Sequence, residues 1–191
     1  MDKYTEALEK RLQEHQVDSR YSYVAHFQAA AVYRTCHKRL AIFGAVCGFL
    51  ASGSLLILLA NLFPSFRTWI ELVGAVLGAC AGVAGILLSH LDYHDSAVRH
   101  SMAGRRYREI NRRVKRYLIL FHKPNPTLSE LEVAIDAIAE ELSSIGGVAP
   151  DIPSFAYKLA KESIAKGEAE YSEEELKLGR LAPTSVDSGT S

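Results

Sequence analysis

The feature that most constrains this chain is a pair of apolar segments, Leu40 to Phe63 and Trp69 to Ser89, with five residues between them. The first, LAIFGAVCGFLASGSLLILLANLF, is 24 residues long and carries no charge. As a helix it would measure about 36 Å, enough to cross a bilayer core with some tilt. The second, WIELVGAVLGACAGVAGILLS, has 21 residues and one charge, Glu71, near its edge. It would span about 31 Å. The connector Pro64-Ser65-Phe66-Arg67-Thr68 is too short to hold a domain, so the segments must fold back as an antiparallel hairpin. Burying both inside a soluble protein would need far more apolar sequence around them than 191 residues supply. The expected fold is therefore all-α, a two-helix transmembrane hairpin whose long helices extend into a cytoplasmic helical domain.

Whole-chain composition hides this division, because the net charge is zero. Residues 1–39 carry a net of +2, residues 40–89 zero, residues 90–123 +6 and residues 124–191 −8. Basic side chains flank the outer ends of the hairpin: Arg34, Lys38 and Arg39 before it, Arg99, Arg105 and Arg106 after it. Only Arg67 lies in the turn. This bias places both termini in the cytoplasm of a multi-pass protein of the inner (plasma) membrane, with Phe63, Phe66 and Trp69 at the far interface. The opening MDKYTEALEKRLQEHQ is charged and lacks the apolar core of a cleaved signal peptide, so the first apolar segment is expected to serve as an uncleaved anchor. Cys36, Cys47 and Cys80 form an odd set without metal-type spacing, and no disulfide framework follows.

The polar regions read as helices. Residues 3–39 lack Gly and Pro, with an expected break near Val17-Asp18-Ser19 and a face of Tyr21, Val24, Ala25, Gln28, Ala31 and Val32. That helix should run straight into the first apolar segment. Past the second segment, Ala103, Tyr107, Ile110, Val114, Tyr117 and Phe121 recur at steps of three and four, so the second membrane helix is expected to continue unbroken to about residue 121. Lys123-Pro124-Asn125-Pro126 stops it. Leu128, Leu131, Ile135, Ile138, Leu142 and Ile145 repeat the seam, with Thr127 or Ser129 as cap and Gly146-Gly147 as stop. A last helix, Ser154 to Lys166, closes at Gly167, and the acidic tail beyond it reads as disordered. The expected organisation is thus 1–39 cytoplasmic helices, 40–63 and 69–89 membrane helices around the 64–68 turn, 90–166 a cytoplasmic helical region and 167–191 a tail.

Candidate functional residues fall into two groups. Gly44, Gly48 and Ser52 on the first segment, and Gly74, Gly78 and Gly82 on the second, stand at four-residue steps. Such rows let helices approach to backbone contact where lipid gives no hydrophobic drive. One row can serve the hairpin itself; two favour self-association into a homo-oligomer, with Gly78→Leu expected to weaken it. Arg105, Arg106, Arg108, Arg112 and Arg113 form a basic face that could contact a ligand or partner, although the same charges also serve as the positive flank of a membrane helix. His90 and His94 are one turn apart, with Asp92, Asp95 and His100 nearby, but no third metal ligand is compelling. No acidic, basic or histidine side chain lies deep in either segment, so a buried proton relay or ion site is excluded. No phosphate loop, nucleophile elbow, HExxH or kinase signature is present, so no catalytic, cofactor or metal site is expected and the chain does not read as an enzyme.

The layout resembles a known family. A helix carrying His26-Phe27 and Tyr33-Arg34 leads into the two membrane helices. A run then follows of His94-Asp95-Ser96-Ala97 and Ala103-Gly104-Arg105-Arg106-Tyr107-Arg108-Glu109-Ile110, and later a Pro-x-x-Pro helix, Pro150 to Ile164. In that order, over about residues 20–165, the chain is similar to the SLATT proteins, SMODS- and SLOG-associating two-transmembrane effectors. The resemblance implies a membrane effector of a prokaryotic conflict or antiphage system that oligomerises, forms pores and arrests or kills the cell. Its implied partners are the lipid bilayer, further copies of itself, and a nucleotide second messenger or nucleotide-sensing protein; no nucleic acid is expected. The alternative is a non-conducting two-span anchor or scaffold for a cytoplasmic partner.

Overall fold

The computed structural model describes residues 3–121 and 128–167, the side chains of Phe121 and Leu128 apart. Helix α1, Lys3–Leu50, runs the length of the molecule, and α2, Gly53–Leu62, continues it after a bend of 47°. A 3-10 turn, Pro64–Phe66, reverses the chain into α3, Arg67–His90. Helices α4, Tyr93–Phe121, α5, Leu128–Val148, and α6, Ser154–Ala165, complete it. Among the described residues there is no strand.

Two regions divide along the rods. At one end α1 and α2 pack on α3, and the outer faces of the three helices, Phe49, Ile57, Val76 and Ile86 among them, stay exposed. The helical stretch from Pro64 to Leu120 contains an apolar window long enough to cross a membrane, and the bent α1–α2 pair is the second candidate span. At the other end α4 lies antiparallel on α1, α5 packs across both, and α6 packs on α1. The core there joins Leu8 and Leu12 of α1, Tyr107, Ile110 and Val114 of α4, and Leu131, Ile135, Ile138 and Ile145 of α5. A smaller cluster sets Val24 and Ala25 of α1 against Ala160 of α6. Both heptad-like seams read from the sequence are thus in the core, apart from Phe121 and Leu128, whose side chains lie outside the described residues. A membrane is absent from the physics of this second region: its helices associate by burying aliphatic stripes from water.

Several local expectations need correction. The break near Val17-Asp18-Ser19 is absent, because the polar groups are satisfied within the fold. Ser19 donates to the Gln16 carbonyl, and the Asn111 amide of α4 reaches both that carbonyl, at 2.9 Å, and the Ser19 hydroxyl, at 3.0 Å. The inward face of α1 is also rotated from the one expected: His26, Ala29 and Ala30 are buried and Ala31 is exposed. The first apolar segment is not one helix. It breaks at Ala51-Ser52, where Ser52 is extended (φ −60°, ψ 132°) and its side chain caps nothing. The rod from α3 into α4 is interrupted at Leu91-Asp92, where Asp92 adopts φ +39°, a left-handed conformation that Asp tolerates better than most residues. Helix α5 begins at Leu128, so Ser129 is inside it, and it passes through Gly146-Gly147 to Val148. Each glycine there costs about 1 kcal/mol relative to Ala, which lowers helix stability without forbidding it. Gly167, at φ +75°, does end the last helix. The expected disordered tail and the Pro124–Pro126 stop lie outside the described residues.

Candidate coupling site between the apolar hairpin and the helical body

The α1–α4 contact runs from the helical body towards the hairpin, and polar and aromatic groups replace aliphatic ones along it. His26 and His100 face each other with their Nδ1 atoms 2.9 Å apart, and they are 1% and 3% exposed. One neutral ring must donate N–H and the other accept. Their burial is made possible by small neighbours. Gly104 stands where a Cβ would come within 3.2 Å of the Phe27 ring and 3.4 Å of the His26 Cβ, so a side chain there would push the helices apart.

Aromatic rings close the pair off from water. Tyr107 stacks on His26 at 5.5 Å and 14°, and Tyr33 stacks on His100 at 5.6 Å. Tyr33 also meets Tyr93 at 6.1 Å and the edge of Phe155 of α6. Towards the hairpin, Arg34 donates to the Ser101 hydroxyl, and the His37 and His94 rings lie 5.7 Å apart. Away from it, Asn111 holds Gln16 and Ser19 as described. One ladder of side chains therefore ties α1 to α4 from residue 16 to the edge of the apolar region.

Electrostatics follow from this burial. Loss of solvent, and secondarily the neighbouring His100, lowers the pKa of His26 to about 4. Desolvation also lowers that of His100, and raises that of the Tyr107 phenol. Both imidazoles are consequently neutral at pH 7. Among the described residues no cluster of three or more metal-ligating side chains exists. The pair is suited to holding two helices in register and to responding to protons, not to performing acid–base chemistry on a substrate, since the rings leave no opening to it.

The residues singled out by sequence separate into different places. A Cβ on Gly44 would meet the Ala84 Cβ at 3.1 Å, and one on Gly48 the Ala81 Cβ at 3.8 Å. A Cβ on Gly74 would run into Leu56, and one on Gly78 would touch the Ala51 Cβ at 3.8 Å. These four glycines therefore all face the chain's own hairpin, and Ser52 is at the break. Gly78→Leu would thus open the hairpin before it reached any interface. Gly82 alone of that row faces open space, as does Gly85. Of the arginines, Arg113 pairs with Glu141 of α5, Arg106 borders a cleft beside Ile145, and Arg105, Arg108 and Arg112 lie on the exposed side of α4.

Sequence reasoning missed the histidine pair because it traced the α4 seam through aliphatic and aromatic positions and passed over its polar ones. A parallel row, Ala97, His100, Gly104, Tyr107, Asn111 and Val114, has the same three- and four-residue steps and is the signal that could have found it. No curated protein and no solved structure matches the chain. A family model does, over residues 8–175, covering the apolar hairpin, the α1–α4 ladder and α5–α6 together. On that match the chain belongs to the SMODS and SLOG-associating 2TM effector domain family 4, the SLATT effectors, and is a membrane protein.

Proposed function

We propose that this membrane effector acts in a conflict system by assembling into a homo-oligomer that permeabilises the inner membrane, without catalysing a reaction. Both termini lie in the cytoplasm in this reading, and α2 meets either the pore or the next subunit. The observation that carries it is the helix break at Ala51-Ser52, midway along the first apolar segment. The first N–H groups of any helix lack intrahelical partners, and here Ser52 does not cap them. Gly53 and Ser54 are exposed, a Cβ on Gly53 would meet nothing within 4 Å, and no residue of α2 is buried. In hydrocarbon each unsatisfied backbone group costs several kcal/mol, so irregular backbone at that depth is tolerated only against protein or a water-filled cavity. Lipid alone is the one environment this face does not fit.

Two experiments follow. With Cys36 as the only other thiol exposed to water, Ser54→Cys in a Cys47→Ala, Cys80→Ala background is expected to react with a small water-soluble thiol reagent in membranes where the protein is assembled. In intact cells where the protein has not assembled, Cys36 should react with a membrane-impermeant thiol reagent only after lysis. Unreactive Ser54→Cys in assembled protein would remove the argument for a wet lumen, and reaction of Cys36 in those intact cells would reverse the orientation. Association itself is read at Gly82, which the hairpin does not use. Gly82→Leu should weaken self-association by about 1–2 kcal/mol, within the range of membrane helix contacts, whereas Val83→Leu should not. Equal cross-linked yields from the two variants would assign the subunit contact to another face.

A further inference from the structure

A cleft of about 230 Å³ opens between α4 and the α5–α6 connection. Its floor is apolar, with Met102, Ile145, Val148 and Pro150 among its lining residues, and two guanidinium groups, Arg99 and Arg106, stand at its edge. Met102 is 53% and Val148 78% exposed, so this apolar surface is left to water by the chain itself. From this combination we infer a ligand site for a small phosphate-bearing amphiphile, its phosphate held by Arg99 and Arg106 and its body resting on Met102 and Val148.

Chemistry and size both narrow the occupant. Arginines seven residues apart stand two turns apart on one side of a helix, about 10 Å along its axis, close enough for their side chains to converge on one dianion. A planar guanidinium matches phosphate oxygens in a bidentate fashion. Arg99 now pairs with Asp95 at 3.0 Å, but both side chains are largely exposed. Such a pair is worth about 0–1 kcal/mol and yields readily to a doubly charged anion. The volume lies below the roughly 300–1,000 Å³ of pockets for drug-sized ligands, and suits one ring or a short chain beside the phosphate. The methionine thioether makes favourable contacts with aromatic ring edges, which favours a flat ring.

Two sources share this chemistry, a soluble mononucleotide and a phospholipid headgroup. Distance favours the first. On the membrane orientation proposed above, Arg99 stands nine residues past the end of α3, about 13 Å beyond the hydrocarbon edge, whereas the headgroup layer is only about 5–8 Å deep on each side. Arg106 is farther still. The binding claim itself does not depend on whether the hairpin conducts. Its consequence deepens that reading: a bound ligand, its phosphate on Arg99 and Arg106 and its body against Val148, would tie the end of α5 to α4, the helix that carries His100.

The test is equilibrium binding to the full-length protein in detergent micelles, using adenosine monophosphate, inorganic phosphate and short-chain phosphatidic acid as probes. Adenosine monophosphate should bind at least tenfold more tightly than inorganic phosphate. The affinity should fall at least tenfold in Arg99→Gln/Arg106→Gln and, separately, in Met102→Glu, with unliganded melting temperatures unchanged. Binding of phosphatidic acid alone, lost in the same variants, supports the site and assigns the lipid source. Binding of neither organic probe, equal binding by the variants, or no preference over inorganic phosphate would overturn the site. Loss of membrane leakage with binding intact would count against the pore reading and leave the site standing.

Discussion

Ile110→Ala is expected to destabilise the helical body by about 3 kcal/mol, the largest effect of any single truncation considered. Ile110 is fully buried and lies where α1, α4 and α5 meet, in contact with a cluster that includes Leu12, Ile135 and Ile138. Removing a large aliphatic side chain from such a site loses its transfer free energy and leaves a cavity that three packed helices collapse into only partly. In detergent, thermal melting of the body should fall by about 6–12 °C. Ile119→Ala, nine residues on along the same helix and 67% exposed, is the control and should change stability by less than about 0.5 kcal/mol. A melting temperature for Ile110→Ala within 2 °C of the unaltered chain would mean that these three helices do not share one core.

Acidification should loosen the α1–α4 seam. His26 has a folded pKa of about 4 against 6.5 for an ordinary histidine, and that of His100 is also lowered, so the unfolded chain binds more protons than the folded one between those values. Stability contributed by the neutral pair is therefore fully present above pH 6.5 and is lost as pH falls through the window towards 4. For His26 alone the loss between pH 7.5 and pH 5 is up to about 2 kcal/mol, or about 4–8 °C in melting temperature. The first proton can be shared, with a protonated ring donating to its neutral neighbour. A second leaves two donors and two like charges face to face behind Tyr33 and Tyr107. His26→Phe/His100→Phe keeps the rings and removes the titration, so its melting temperature should fall less over the same pH range. Identical pH dependence in the two proteins would show that carboxylates elsewhere, not this pair, set the acid response.

Much of the architecture is legible in the sequence because it is written in periodicity and charge. The aliphatic stripes of α4 and α5 identify their buried faces, and Gly167 marks an end that only a positive φ permits. What the sequence conceals are features set by tertiary partners. Asp18 and Ser19 look like a cap until Asn111 arrives from 92 residues away to satisfy Ser19. Glycine rows look surplus until the hairpin turns both towards each other. His26 and His100 lie 74 residues apart, and neither is conspicuous until their rings meet at 2.9 Å. The helix breaks at Ala51-Ser52 and Leu91-Asp92 lack proline, the strongest local signal for them, and so pass as continuous helix in any reading of apolar runs.

The central claim, that the assembled hairpin permeabilises a bilayer, is tested most directly by dye release from liposomes holding the purified full-length protein. Release is expected to rise steeply with the protein-to-lipid ratio, as assembly requires, to respond to added mononucleotide, and to be markedly reduced by Gly82→Leu at equal insertion. Inserted, oligomeric protein that releases no dye at any ratio, with or without candidate nucleotides, would contradict the pore and leave the hairpin an anchor.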